Sequence, residues 1–517
     1  MSDPTVADPT AGEPAYEHNT DPRRWLALGV IGLSQLMVIL DATITNIALP
    51  TATADLGIGP EGYSWVITAY ALPFGALLLL GGRIADYVGR KKILIIALCG
   101  FALASIIGGA AHAAWMMYAG RALQGVFGAM LAPAALSLVT VTFTEAKDRA
   151  KAFAVMGAIS GSGAAIGLLL GGALTQYLGS GAIAGWRWCF FVNIPIAVVA
   201  AILGVRILRE SKSGTTGHYD LPGAVTATLG LAALVWGFTR PIQRNDDGTL
   251  VGWGSMETIA WIGGALVLLA IFIIIESRSS NPLLPLRILS NRNRAGAYLV
   301  GLLMGGGMFA LFLFMTLYLQ DFKQYSPMKT GLAFLPFSAG IVVGAGIGSQ
   351  LVLKIGPRWV IAVGALLGVG GMIWFSRMDL ESAYLTDILP PQLVQAVGMG
   401  FMFMSVFNLA LVHIDHDDAG VASAVVNTVQ QIGGSLGTAL LTTVWLTTAA
   451  NYAIERSASV TSPEAAQVLQ AEATVHGFEV GYLWAAGAFL LAFLIAVFVI
   501  RAGKEDLADT TEAVHVG

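Results

Sequence analysis

The stretch Trp25–Pro50, WLALGVIGLSQLMVILDATITNIALP, decides how the rest of the chain is read. From Trp25 to Leu49 it holds one ionisable side chain, Asp41. At about 1.5 Å per residue the run makes a helix of roughly 37 Å, long enough to cross a bilayer with some tilt. An Asp near the end of a span can snorkel to water, but Asp41 stands about sixteen residues in, roughly 24 Å along the helix. A carboxylate inside a span costs on the order of 2.5–3.5 kcal/mol, so such residues usually face a bundle interior or a water-filled path. Thr43, Thr45 and Asn46 add polar groups nearby that are expected to solvate it.

The remainder repeats the pattern. Of the 517 residues, 56% are hydrophobic and 12% charged, with mean hydropathy +0.72. A soluble domain carries about 25% charged residues, so the chain reads as an all-α polytopic membrane protein. Fourteen apolar runs are expected to span: 25–49, 63–81, 93–111, 115–138, 151–174, 188–208, 221–239, 257–275, 296–319, 330–353, 359–376, 390–412, 419–447 and 480–501. They are rich in Gly and Ala, as suits helices that approach closely in lipid; Gly433-x-x-x-Gly437 is one such pattern. The first 22 residues, acidic among Pro, Thr and Ala, read as a short solvated tail rather than a signal peptide. The acidic loop His413–Asp418 and the stretch 449–479 read as solvated connections.

Two cysteines in apolar segments, Cys99 and Cys189, and seven scattered histidines give neither metal-ligand spacing nor a disulfide framework. No metal or cofactor is expected. No Gly-x-x-x-x-Gly-Lys-Ser/Thr pattern is present to cradle a nucleotide. With the N-terminus placed in the cytoplasm, 20 Lys and Arg fall on that side and 7 on the other, Arg121 lying inside span 4. That asymmetry predicts both termini in the cytoplasm.

After span 2 comes Gly82-Arg83-Ile84-Ala85-Asp86-Tyr87-Val88-Gly89-Arg90-Lys91-Lys92, read as a tight loop between two glycines. A positive-inside loop accounts for Arg90, Lys91 and Lys92 but not for the Gly-x-x-x-Asp-x-x-Gly-Arg-Lys spacing. In that spacing the sequence resembles the major facilitator superfamily. The resemblance implies that Gly82, Asp86, Gly89 and Arg90 form a gate, with Asp86 paired to basic groups and to a helix N-terminus in the other half of the protein. Span 4 carries Arg121-Ala122-Leu123-Gln124-Gly125, which looks like the superfamily's Arg-x-x-Gln-Gly motif and implies a part for Arg121 in proton coupling. A cation beside a carboxylate favours its charged form, so moving Arg121 changes when an acid gives up its proton.

Span 5, with Gly163, Gly167, Gly171 and Gly172, is similar to the glycine motif of the superfamily's antiporters. It departs from that motif at Leu168 and Ala164, where prolines are common. Trp186–Pro195, Asp220-Leu221-Pro222-Gly223 and Tyr325–Pro336 look like the fourteen-span drug:proton antiporter branch. That branch implies two six-helix bundles plus two extra transmembrane helices, divided as tail 1–22, bundle 23–209, inserted helices 210–293, bundle 294–503 and tail 504–517.

The expected function is export of hydrophobic or amphiphilic compounds in exchange for protons at the cell membrane, by a monomer and without enzymatic activity. Its partners are then the small-molecule substrate, protons and membrane lipids, with no nucleic acid. A lipid or other metabolite transporter of the same fold is the alternative. Asp41 and Arg121 are the expected proton-coupling pair. Asn46, Gln124, Phe309, Asn408, Asn427, Gln430 and Gln431 are candidates to line the substrate cavity. On this reading Asp41→Asn folds at least as well as the parent, because a costly buried charge is gone.

Overall fold

A computed structural model describes residues 23–179, 183–212, 220–243, 250–279, 282–412, 414, 419–457 and 462–504. The expected tail 1–22, all of the tail 504–517 but Lys504, and nearly all of the acidic loop at 413–418 lie outside these. Among the described residues the chain is helical and has no strand. The long helices are α1 Arg24–Asp55, α2 Pro60–Val88, α3 Arg90–Gly109, α4 Ala114–Thr142, α5 Ala146–Tyr177, α6 Asn193–Ile207 and α7 Leu221–Thr239. They continue as α8 Met256–Arg278, α9 Arg292–Leu317, α10 Pro327–Ile355, α11 Pro357–Phe375, α12 Leu389–Leu411, α13 Ala419–Arg456 and α14 Pro463–Leu494.

Thirteen helical segments among the described residues are long and apolar enough to cross a membrane. The remaining long helix, α13, carries Asn427, Gln430, Gln431 and a run of threonines and falls short of that apolarity. It still packs inside the protein, against α2, α7, α9 and α14. Its polar residues face other helices rather than lipid at several points; Ser435, Thr438, Thr442 and Thr443 are buried.

Most of the stretch 449–479 is helix rather than loop, and its described residues from 451 to 472 are largely exposed, as a solvated connection requires. Helix α13 continues to Arg456, α14 begins at Pro463, and Ala473, Val475 and Phe478 are buried. Ala, Gln, Glu and Leu propagate a helix well past the membrane-apolar portion, which hydropathy alone does not register.

Helix pairing repeats with an offset of eight. The pairs α1–α5, α2–α4, α3–α4 and α3–α6 are matched by α9–α13, α10–α12, α11–α12 and α11–α14. Helices α7 and α8 form an antiparallel pair whose α7 leans on α2 and α13. Between the two sets, α2 packs on α13 and α5 on α10, the same offset with partners exchanged. Glycine makes these approaches possible. A β-carbon on Gly306 of α9 would stand 3.0 Å from the Gly433 carbonyl oxygen, and one on Gly331 of α10 would stand 2.5 Å from that of Leu168 on α5. The Gly433-x-x-x-Gly437 pattern is thus the crossing of α13 over α9.

At the end away from the termini two hydrogen bonds cross between the sets. There Gln320 Nε2 donates to the Ile47 carbonyl (2.9 Å) and the Met328 amide donates to Gln176 Oε1 (3.2 Å).

Candidate functional site

Asp41 and Arg121 meet in the interior of the first six helices. Their side chains are 1% and 2% exposed, and Arg121 Nη1 donates to Asp41 Oδ2 at 2.6 Å. The other carboxylate oxygen, Oδ1, accepts from Gln124 Nε2 at 2.7 Å and Asn193 Nδ2 at 2.8 Å. Ser105 Oγ accepts from the same two amide groups, at 2.9 and 3.3 Å. Arg121 also donates through Nε to the Val66 carbonyl (3.1 Å) and through Nη1 to Gln124 Oε1 (2.9 Å), with its Cζ 4.3 Å from the centre of the Tyr70 ring.

Helices α1, α2, α3, α4 and α6 therefore converge on one carboxylate. Spacing explains the α4 contribution: Arg121 and Gln124 are three residues apart and share a helix face. Charged hydrogen bonds in a low-dielectric interior are stronger than in water, and these satisfy both ions.

Two expectations need correction here. Thr43, Thr45 and Asn46 do not solvate the carboxylate: they bond back to the carbonyls of Ile39, Asp41 and Ala42 on their own helix. The solvating groups come from other helices instead, and Asn193, Ser105 and Tyr70 were not among the expected site residues. Nor is Asp41 a lone buried charge whose removal is stabilising. Its loss leaves Arg121 buried and short of its anion.

The gate motif is also less of a loop than its glycines suggest. Gly82 and Asp86 lie within α2, and a β-carbon on Gly82 would stand 3.4 Å from Pro133 of α4. Gly82 serves helix packing. Gly89 alone makes the turn, at φ 127°, a conformation open to glycine. Asp86 accepts from Arg90 at 2.8–2.9 Å, four residues on in its own segment rather than in the other half. The N-terminus of α3 is held by Glu210, whose carboxylate accepts from the amides of Lys91 and Lys92, each at 3.1 Å. Glu210 carries no local signal of this role, because its partner amides lie more than a hundred residues away.

The span-5 glycines face two ways. Gly163, Gly167 and Gly171, at intervals of four, lie against Ile39, Thr43 and Ile44 of α1, around the turn that carries Asp41. A β-carbon on Gly171 would be 3.0 Å from the Ile44 carbonyl oxygen. Gly172 points instead at α10, where a β-carbon would be 2.7 Å from Met328 Cα.

Of the remaining candidates, Gln124 belongs to the Asp41 cluster, and Asn46 is half-buried. Phe309 packs against the cores of both helix sets and against Gly434. Asn408 bonds Met404 Sδ at 3.4 Å and Asn427, exposed, bonds the Ser423 carbonyl at 3.2 Å. Gln430 and Gln431 are half-buried on α13, and each has a buried amide atom without a partner among the described residues, Nε2 and Oε1 respectively. Gln431 lies against Gly75 of α2.

Residues 31–438 match the family model described as the Major Facilitator Superfamily. The chain belongs to that superfamily. It is 43% identical over 508 residues to the puromycin resistance protein pur8 of Streptomyces alboniger, covering 98% of this chain and 96% of that one. It is 34% identical over 422 residues to the cephamycin export protein CmcT of Amycolatopsis lactamdurans, covering 81% and 84% of the two chains. Among solved structures, a bacterial homolog of the human lysosomal transporter Spinster in an inward-facing, unoccupied conformation superposes with TM-score 0.67 at 16% identity. That likeness covers 94% of this chain and 98% of the other, and it establishes the fold. As a member of the Major Facilitator Superfamily, the chain is a multi-pass membrane transporter.

Proposed function

We propose that this transporter exports an amphiphilic, drug-like compound in exchange for protons by alternating access. The observation that carries the proposal is the Asp41 cluster. Oδ1 is engaged by two buried amide donors and Oδ2 by the Arg121 guanidinium, so a proton on Oδ1 displaces a donor and a proton on either oxygen cancels the charge that holds Arg121. Protonation of Asp41 and rearrangement of α1 against α4 and α6 are then one event. Gly163, Gly167 and Gly171 let α5 ride directly on the turn that moves, and Gly172 passes the motion to α10 of the other bundle.

In the proposed cycle, outside protons reach Asp41 while the cavity faces out, and substrate leaves. Inward opening returns Asp41 to Arg121 and discharges the proton to the cytoplasm. The bundles 23–209 and 294–503 are the moving halves, and 210–293 is an insertion between them. The conformation reads as open toward the face that carries the termini. Two hydrogen bonds cross between the bundles at the opposite end, and Asp86 pairs within its own segment.

Export of a drug-like compound draws support from relatives named for puromycin resistance and cephamycin export. A cell-membrane location with both termini cytoplasmic rests on the 20-to-7 basic asymmetry. A tag at the N-terminus that is reachable from outside intact cells overturns that orientation.

The test is substrate-driven proton movement in proteoliposomes. Puromycin and a panel of cationic, neutral and anionic dyes are offered to equal amounts of folded parent, Asp41→Asn and Asp41→Glu. Asp41→Asn keeps the side chain's size but does not titrate near neutral pH. It is expected to move no protons and to concentrate no substrate, while Asp41→Glu retains part of the activity with a shifted pH optimum. Proton exchange by Asp41→Asn at the parent's rate refutes the mechanism.

A further inference from the structure

Glu276, near the end of α8, is 3% exposed, and Asp220, at the start of α7, is 7% exposed. The two carboxylates face each other across Gly223: a β-carbon there would stand 2.8 Å from Glu276 Oε1 and 2.9 Å from Asp220 Oδ1. Asp220 Oδ1 accepts from the Gly223 amide at 2.8 Å, and Glu276 Oε2 accepts from the Leu284 amide at 3.0 Å. The second oxygen of each, Asp220 Oδ2 and Glu276 Oε1, is buried and has no partner among the described residues. Two adjacent buried carboxylates with an unsatisfied oxygen apiece are unfavourable when both are charged, and one proton relieves both faults.

We propose that Glu276 and Asp220 hold a single proton between them, a second protonation site of this transporter, separate from Asp41 and belonging to the inserted helices. The helix termini decide which partner carries it. Asp220 caps the N-terminus of α7, where backbone amides favour an anion, whereas Glu276 lies in the last turn of α8, where carbonyls disfavour one. The proton thus sits on Glu276 Oε1 and is offered to Asp220.

The pair reaches the gate through a short turn. Leu284, whose amide binds Glu276, is two residues from Pro282, whose carbonyl accepts from Arg83 Nη2 at 3.4 Å. Arg83 lies on α2 between Gly82 and Asp86. Among the described residues, Asp220 and Arg83 are the charged groups that face Glu276. Deprotonation places two anions together, loosens α7 from α8 and reaches the gate end of α2 through the 282–284 turn.

The test is infrared difference titration of the full-length protein in detergent, following the protonated-carboxyl C=O band. The parent is expected to show a band at neutral pH that persists in Asp41→Asn and is lost in Glu276→Gln. Glu276→Gln keeps an acceptor for the Leu284 amide, so its fold is expected to survive. Asp220→Asn removes the neighbouring anion and is expected to weaken the neutral-pH band on the order of tenfold. An unchanged band in either Glu276→Gln or Asp220→Asn overturns the proposal; should Glu276→Gln fail to fold, Asp220→Asn decides it alone. Loss of the band in Asp41→Asn instead assigns it to Asp41 and also overturns the proposal, leaving the export mechanism untouched.

Discussion

Asp41→Asn is expected to destabilise the protein. In the parent, a carboxylate and a guanidinium that are 1% and 2% exposed meet at 2.6 Å. Removing one partner of such a buried pair costs about 3–5 kcal/mol, because the other charge remains desolvated. The lower end applies here, since Arg121 keeps the Val66 carbonyl, Gln124 Oε1 and the Tyr70 ring. About 3 kcal/mol is a factor on the order of 100 in the unfolding equilibrium. An asparagine also brings an NH2 group into a site that already presents donors from Arg121, Gln124 and Asn193. Adding Arg121→Gln removes the stranded cation, so the double variant is expected within about 1 kcal/mol of the parent. Unfolding monitored by tryptophan fluorescence in mild detergent, with all four members of the cycle, measures this. Parent-like stability of Asp41→Asn, or a double variant as unstable as the sum of the singles, refutes the pairing argument.

Three further outcomes are expected. Gly167→Ala drives a methyl into Thr43 on α1, whose hydroxyl bonds the Ile39 carbonyl at 2.9 Å, and should destabilise by about 1–3 kcal/mol; Thr43→Ala should restore part of the loss in thermal melts, whereas Gly171→Ala, facing the Ile44 backbone, should gain nothing from it. Asp86→Asn should leave expression and folding intact, because its pair with Arg90 is partly exposed, and should lower the transport rate in vesicles; wild-type transport removes the motif from the gate. The Arg24 guanidinium holds the Asp148 carboxyl below the usual carboxylate range, so the clasp between α1 and α5 is present above that range and is lost as pH falls through the lowered value. Asp148→Asn should therefore melt below the parent at neutral pH and converge with it in acid; a gap that persists into acid contradicts the assignment.

Membrane class and the deep acid were legible from local composition, because a lipid-facing helix must be apolar along its whole length. The family followed from the spacing of Asp86, Gly89 and Arg90 and of Arg121 and Gln124, which is a short-range property of the chain. Pairing of helices at an offset of eight, the exchange of partners between halves and the place of polar α13 in the interior all needed tertiary structure. So did the solvation of Asp41. Asn193 stands 152 positions from it and reads as an ordinary residue at the start of α6, while the adjacent Thr43 and Thr45 turn to their own helix. Periodicity tells which residues share a face of one helix; it carries no information on which face of a second helix meets it. Buried polar groups must find partners, and in a helical bundle those partners are mostly far away in sequence. The charge at Asp41 was therefore written in the chain from Trp25 to Pro50, and its stability was written in four other helices.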